Sequence, residues 1–369
     1  MHLLALIALA VWIPTFLNTV LNLALVPRLR AGAPGSRQRP RVTVVIPARN
    51  EQRAIEASVR SFLAQTYGDL EVVVVNDRST DDTGPILDRI AKEDSRLHVL
   101  HGEPPPSGWL GKPWALQQGA RRASGELLLF VDADLRYAPG TVAGAVHALE
   151  ERDLAMLTLL PDMELRGFWE HVALPMLAFA FFVMLPSWLA NRTRSPKLAL
   201  GGGTGMLMRR SVYESFGGHE PLRDAVVDDI GLARVTREHG GRTMAFRADH
   251  LVSLRMYHGG TEILNGFTKN VFVAMGRSYA IVTFWLAIGL VGSILPYALA
   301  LAGDRAAIAT VALISATRLL VFVPLRYGVV NALLAHPLMM SFWSLVMIRS
   351  AWVTGIRRQV HWRGRTYST

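Results

Sequence analysis

Hydrophobic and polar positions divide the chain into three regimes. Residues 3–27 are almost wholly apolar, with Pro14 in their middle. The run exceeds the roughly 20 residues a helix needs to cross a bilayer. It lacks a basic start and a small-residue cleavage site, so it reads as a retained anchor helix rather than a signal peptide. Residues 31–40, rich in Gly, Pro and Arg, read as a linker. From 41 the pattern changes to short β-branched or apolar runs at 42–46, 70–75, 97–100 and 126–131. Between them lie stretches with helical spacing at 51–65 (Ile55, Val59, Phe62, Leu63), 80–92 and 113–123, the second with Thr80 or Asp81 as its cap. Alternating strand and helix predicts a parallel, doubly wound α/β sheet.

After 150 the periodicity loosens. Residues 172–190 are apolar but carry Pro175 and Pro186, which suits an interfacial helix pair better than a full span. Gly201–Gly205 reads as a loop, followed by a mixed helical region to about 278. Apolar runs then appear at 280–302, 306–325 and 329–350. If the central domain is cytosolic, one span before it and three after it leave the C-terminus outside. The basic tail (Arg357, Arg358, Arg363, Arg365) belongs inside by the positive-inside rule. One run is therefore expected not to be a simple span. Arg318 makes 306–325 the first suspect, because a mid-membrane arginine costs roughly 2.5–3.5 kcal/mol on insertion scales. Residues 172–190 are the second.

Composition sharpens the membrane reading. Of 369 residues, 51% are hydrophobic and only 18% charged, which is unusually apolar for a soluble domain. The formal charge of +10 sits largely in arginines flanking the apolar runs (Arg28, Arg30, Arg37, Arg39, Arg41 and the tail), which suits anionic lipid rather than nucleic acid. There is no cysteine, which excludes disulfides, zinc–thiolate sites and thiol nucleophiles.

Polar motifs follow three of the expected strands, where ligands of doubly wound sheets bind. Asp132-Ala133-Asp134 places carboxylates at i and i+2, suited to a hard divalent cation such as Mg2+ or Mn2+. A turn or cap would use the same residues. Asp77 is placed to accept hydrogen bonds from a base or ribose, or simply to open an Asx turn. Pro47-Ala48-Arg49-Asn50-Glu51 forms another strand-to-helix turn, in which Glu51 caps a helix or contacts a nucleotide. Lys112, at a helix start within Gly108-Trp109-Leu110-Gly111-Lys112-Pro113, suits a diphosphate, or is an ordinary surface lysine. Asp228-Asp229 between apolar residues suits a general base, since adjacent carboxylates and burial raise a pKa; it equally suits a helix N-terminus. His219, Gly203 and Thr204 are candidate acceptor contacts, although a lone histidine is more often structural.

Taken in order, Val45-Ile46-Pro47-Ala48-Arg49-Asn50-Glu51, Asn76-Asp77-Arg78-Ser79-Thr80-Asp81, Gly111-Lys112, Asp132-Ala133-Asp134 and Asp228-Asp229 resemble family 2 glycosyltransferases over about residues 41–278. Gly108-Trp109-Leu110-Gly111-Lys112, Phe216-Gly217-Gly218-His219 and Trp362-Arg363-Gly364-Arg365 look like the membrane branch with hopene-associated and carotenoid glycosyltransferases. The resemblance implies a GT-A fold, a Rossmann-like mixed sheet, with transmembrane helices at both ends. Its domains would be an anchor at 1–30, the linker 31–40, a catalytic domain at 41–278, helices at 279–352 and a cytosolic tail at 353–369. It further implies that Pro47, Ala48, Arg49, Glu51 and Asp77 hold base and ribose, and that Lys112 approaches the diphosphate. Asp132 and Ala133 would face the donor, Asp134 with Asp132 would hold Mg2+ or Mn2+, and Asp229 would be the base. Asp228 stands where the family has glutamate, which leaves both aspartates as proton acceptors. The Gln-x-x-Arg-Trp motif of processive synthases is absent between 240 and 280, which argues against a polymerase.

The implied activity is inverting transfer of one sugar from a nucleotide sugar, UDP-linked, to a hydroxyl of a membrane lipid of hopanoid, carotenoid or glycolipid type. The enzyme would sit in a bacterial-type inner membrane with its catalytic domain cytoplasmic and no nucleic-acid partner. The alternatives are a polyisoprenyl-phosphate glycosyltransferase or polysaccharide synthase and, outside enzymes, an inactive membrane scaffold.

Overall fold

A computed structural model describes residues 1–32, 40–356, 359–362 and 365–368, the last two stretches by backbone alone. Most of the 31–40 linker, with Arg37 and Arg39, and the tail residues Arg357, Arg358, Arg363 and Gly364 lie outside the described residues, as do the side chains of Trp362 and Arg365.

In chain order the elements are α1 (His2–Leu25), β1 (Val42–Ala48), α2 (Ile55–Leu63), β2 (Leu70–Asn76), α3 (Thr83–Glu93), β3 (Leu97–His101), α4 (Gly111–Arg122) and β4 (Leu127–Phe130). There follow β5 (Leu135–Tyr137), α5 (Thr141–Glu151), β6 (Met156–Leu160), β7 (Asp162–Met163), α6 (Phe168–Ala173), α7 (Pro175–Phe179) and α8 (Ser187–Ala190). Next come β8 (Met206–Arg209), α9 (Arg210–Ser215), α10 (Asp228–Glu238), β9 (Thr243–Arg247), β10 (Val252–Leu254), α11 (Gly260–Thr268) and α12 (Val271–Ala274). The last elements are α13 (Tyr279–Ile288), α14 (Leu295–Leu301), α15 (Arg305–Phe322), α16 (Val329–Leu334), α17 (His336–Ser350), β11 (Gln359–Trp362) and β12 (Arg365–Ser368).

One compact unit comprises Val26–Glu164 and Leu189–Met256. Its seven-stranded sheet has the order β3-β2-β1-β4-β8-β6-β9. Strands β1, β2, β3 and β4 pair in parallel, as do β6 and β9, whereas β8 runs antiparallel to both of its neighbours. The first four strands are those expected from the sequence. β8 and β9 correct the reading of the stretch from 206 to about 278 as a mixed helical region, and β6 falls where the loosened pattern after 150 suggested no strand. β8 has only four residues and runs straight into α9, too short to show a period. Strands β1 and β2 are buried on both faces, with Val44, Val45, Ile46 and Val72–Val75 at 0% exposure, which is why they read as unbroken apolar runs. Each such side chain contributes roughly 1.5–3 kcal/mol of burial. Phe130, Met206, Met208, Leu232 and Val235 continue the core beneath α10. A small sheet, β5-β10-β7, flanks this arrangement.

The other unit comprises Met1–Leu25, Leu165–Trp188 and Tyr257 onward. Among the described residues, four helices are long and apolar enough to cross a membrane: His2–Leu25, Tyr279–Leu301, Arg305–Phe322 and His336–Ile356. The second and fourth include π-helical turns. The 172–190 run is broken, as its prolines require, into α6, α7, a π-helical turn and α8. Asn18 and Asn22 of α1 satisfy the carbonyls freed at the break. Asn22 Nδ2 donates to Phe182 O (2.9 Å) and Leu185 O (2.8 Å), and Asn18 Nδ2 to Val183 O (3.0 Å). In an apolar medium no water is on hand to satisfy those carbonyls, which explains two asparagines in an apolar helix.

The suspected run at 306–325 is instead the unbroken helix α15. Its first turn lies beside the start of α1, where His2 Nδ1 meets Asp304 Oδ2 at 2.7 Å and Ala5 packs with Ala306 and Ala307. The irregular segment is 329–356. The His336 ring at the head of α17 lies 5.7 Å from that of Trp12, halfway along α1. At the other end Ser350 Oγ donates to Thr268 O (2.5 Å), and Gly355 abuts Tyr279 at the head of α13. Within this segment α17 therefore begins midway along the bundle, and the segment ends beside the start of α13.

Candidate active site

The first two strand-to-helix turns are laced together. Pro47 and Ala48 end β1 opposite Val75 and Asn76, and Ala48 O accepts the Asp77 N–H at 2.8 Å. Arg49 Nη1 donates to Asp77 O (2.9 Å) and stands 3.6 Å from Asp77 Oδ2, while Arg78 Nη2 donates to Asp77 Oδ1 at 3.0 Å. Asn50 and Arg78 both have φ of 53°, a turn conformation that Asn adopts more readily than most residues. Asn50 Oδ1 accepts the Thr80 N–H (2.8 Å), and the Glu51 N–H donates to Thr83 Oγ1 (2.8 Å). Asp81, one residue before the cap of α3, accepts from the Thr83 hydroxyl (2.6 Å) and N–H (3.0 Å). Burial pushes its carboxyl up, but these bonds and that from the Gln52 N–H outweigh burial and hold it below the usual range. The two turns thus place Arg49, Glu51 and Asp77 close together at the carboxyl ends of β1 and β2.

The acidic centre lies beyond the end of β4. Lys112, in the first turn of α4, places Nζ 2.8 Å from Asp132 Oδ1 and 3.3 Å from Asp228 Oδ1. Burial alone would lower the Lys112 pKa, but Asp132, Asp228 and Asp229 reverse this and raise it well above its ordinary value. Asp228 is 3% exposed and its Oδ2 has no hydrogen-bond partner. Burial raises its carboxyl to about 6, against the opposing pull of Lys112 and with help from Asp229 and Asp132. Asp228 and Asp229 open the first turn of α10, a position that favours negative charge. Ala133 is buried, and Asp134 is half-buried in the turn leading to β5.

Gly203 couples the two sides of this centre. Its N–H donates to Asp229 Oδ2 (3.1 Å) and its carbonyl accepts the Asp132 N–H (2.8 Å). A side chain there would strike the Asp132 carboxylate, and one at Gly201 would strike the Asp229 backbone, so the loop is glycine because two acidic segments pass on either side. Thr204 turns inward and donates to Leu159 O at 2.5 Å. Tyr137, a residue with no local mark of function in the sequence, donates to Thr204 O at 2.7 Å; burial raises its phenol pKa, so it remains a donor. Gly203→Ala is expected to lower kcat at least tenfold and to destabilise the fold by about 1–3 kcal/mol, the usual cost of overpacking. Unfolding and turnover of the same preparation provide the check.

His219 is drawn into the core. Gly217 and Gly218 have φ of 82° and 71°, and the turn they make carries His219 to 0% exposure. Its N–H donates to Gln117 Oε1 (2.8 Å), its Nδ1 lies 2.6 Å from Tyr213 Oη, and its ring stands edge-on to Phe130. Burial, with the Lys112 charge, pushes its pKa down to about 3. Its place is behind the acidic centre, against α4, and it presents no face to an acceptor.

The mixed sheet, with carboxylates gathered beyond β4 and at the head of α10, has the architecture of the GT-A fold. Residues 43–217 match the model of glycosyl transferase family 2, which marks that stretch as a glycosyltransferase domain. The 4,4'-diaponeurosporenoate glycosyltransferase of Staphylococcus aureus (strain USA300) is 27% identical over 340 residues, covering 89% of this chain and 88% of its own length. That of strain MRSA252 is 26% identical over 341 residues, with the same coverage. Among solved structures, a mannosyltransferase from Pyrobaculum calidifontis in complex with GDP-Man and Mn2+ matches with a TM-score of 0.57 at 19% identity, covering 95% of this chain and 99% of that one. That likeness concerns the fold.

Among the described residues, no three His, Asp or Glu side chains are grouped to hold a metal ion unaided. The donor set nevertheless suits a hard cation shared with a ligand. Asp132 is exposed enough to be reached and already attracts an ammonium group, and Mg2+ is commonly held by one or two carboxylates plus substrate phosphates.

Proposed function

We propose that the protein transfers a single sugar, with inversion, from a UDP-linked nucleotide sugar to a hydroxyl of a membrane lipid of carotenoid, hopanoid or glycolipid type. The observation that carries this reading is the convergence of Asp132 and Asp228 on Lys112, with Asp229 tied to Asp132 through Gly203. Pro47, Ala48, Arg49, Glu51 and Asp77 would receive base and ribose. Lys112 would exchange its carboxylate partners for the diphosphate, helped by the N–H groups at the start of α4. Asp132 and Asp134 would hold Mg2+ or Mn2+, which when bound supplies positive charge beside the leaving phosphates. Asp229 would take the acceptor proton, since it is half-exposed while Asp228 is buried beneath Lys112.

The lipid acceptor is supported by the four apolar helices and by the relative that acts, by its name, on diaponeurosporenoate. We further read the first three of those helices as spans and 329–356 as re-entrant. The tail after 356 then lies on the membrane side from which α13 starts, taken as cytoplasmic, and the basic residues fall where the positive-inside rule wants them. Titration calorimetry of UDP-sugars into the detergent-solubilised protein tests the donor side. Binding is expected with Mn2+ or Mg2+ and at least tenfold weaker with EDTA; equal binding in both would overturn the metal assignment, and no binding in either the UDP assignment.

A further inference from the structure

Arg318 is fully buried within the helical unit. Its Nε donates to Ala332 O (2.9 Å), and its Nη2 to Asn331 O (2.7 Å) and Asn331 Oδ1 (2.9 Å). Half of the guanidinium thus caps the short helix α16, whose carbonyls end there. Phe322 lies 4.3 Å from Cζ. The other arm, Nη1, meets weak acceptors only: His336 Nδ1 at 3.4 Å and Met339 Sδ at 3.5 Å. Among the described residues no carboxylate pairs with Arg318. Its neighbours are also incompletely satisfied. His336 is fully buried and its Nε2 has no hydrogen-bond partner. The Tyr297 hydroxyl has none either, and its ring stacks on His336 with centroids 6.2 Å apart.

Capping α16 requires Nε and Nη2 alone. It leaves unexplained a formal charge in an apolar bundle and three polar groups, on α14, α15 and α17, that are short of partners. Ionisable groups inside apolar helices are expensive and mark binding sites or relays. Buried polar atoms lacking partners likewise call for a ligand, ion or water. Arginine's planar fork matches two-oxygen acids, and the surrounding Trp12, Phe179 and Phe322 rings suit a hydrocarbon chain.

We propose that Arg318, His336 and Tyr297 form a binding site for the acidic head, carboxylate or phosphate, of a bilayer amphiphile. Arg318 Nη1 supplies the charge, with Tyr297 Oη and His336 Nε2 adding hydrogen bonds. The inference rests on the helices lying in a membrane and is independent of which lipid receives the sugar.

The test titrates the full-length protein in neutral detergent with oleate, phosphatidic acid or phosphatidylcholine, following thermal unfolding and lipid retention by native mass spectrometry. Oleate or phosphatidic acid is expected to bind saturably and raise Tm, with phosphatidylcholine inert; the stronger of the first two identifies carboxylate or phosphate. Arg318→Gln is expected to weaken that binding at least tenfold. Tyr297→Phe, which removes one unpartnered hydroxyl and nothing that holds the fold, is expected to weaken it several-fold while melting as the parent does without lipid. The site is overturned if the anionic lipids act no differently from phosphatidylcholine, or if Tyr297→Phe and a folded Arg318→Gln bind them as the parent does.

Discussion

Asp229→Asn is expected to lower kcat by roughly 10²–10⁴-fold, the range that a positioned general base contributes, while leaving donor affinity within about twofold. The geometry makes this a clean substitution in size but not in polarity. Asp229 Oδ2 accepts the Gly203 N–H and Oδ1 accepts the Ile230 N–H at 2.7 Å. An asparagine amide oxygen satisfies one of these donors, and its NH2 faces the other. A modest local shift is therefore expected in addition to the loss of the proton acceptor, and a donor titration distinguishes the two effects. Asp228→Asn is the informative companion. Buried beneath Lys112, Asp228 would affect how the ammonium is held more than it would affect an acceptor. If Asp229→Asn keeps more than about a tenth of wild-type turnover, the base assignment fails. An acceptor already ionised, such as a carboxylate, would give that result because it has no proton to surrender.

How much of this was legible in the sequence depended on whether the information was local. The ends of β1, β2 and β4 could be read because a buried parallel strand is an apolar run that stops where solvent and ligand begin. Asp77, Asp132 and the Pro47–Glu51 turn are visible on that ground alone. The meeting of Lys112 with Asp132 and Asp228 was not visible. It depends on β8 inserting antiparallel between β4 and β6, which brings the Gly201–Gly205 loop past Asp132 and up to Asp229. A four-residue strand carries no period from which to infer this. His219 misled for a related reason: two glycines with positive φ turn the chain inward, and nothing local tells an inward histidine from an outward one. The helices show the same limit. Arg318 made α15 look suspect, yet carbonyls at the end of α16 accept its hydrogen bonds. The segment 329–356 has ordinary span-like hydropathy, and the reading of it as re-entrant rests on where Ser350 and His336 make their contacts.

The second large effect is expected from Lys112→Met, which keeps the stem of the side chain and removes the charge. Removing one partner of a buried ion pair leaves the other as an uncompensated charge, at about 3–5 kcal/mol for a fully buried pair. Here Lys112 is partly exposed and Asp228 can escape by taking a proton, so about 1–3 kcal/mol is expected at pH 8. The sign with pH follows from the direction of the Asp228 shift. Its folded pKa, about 6, lies above the ordinary 3.8, so the stability that protonation contributes is complete below 3.8 and is lost as pH rises through 6. Lys112 opposes that shift, so in its absence the carboxyl titrates higher still and the penalty of ionising it grows. Parent and variant should melt at similar temperatures at pH 5 and separate progressively towards pH 8. Donor affinity should fall about 10- to 100-fold, because a charge-assisted bond to phosphate is lost together with the clamp on Asp132. A stability deficit that stays the same from pH 5 to 8 would mean that Lys112 does not govern Asp228. The paired acidic centre would then be two independent carboxylates that share a neighbourhood.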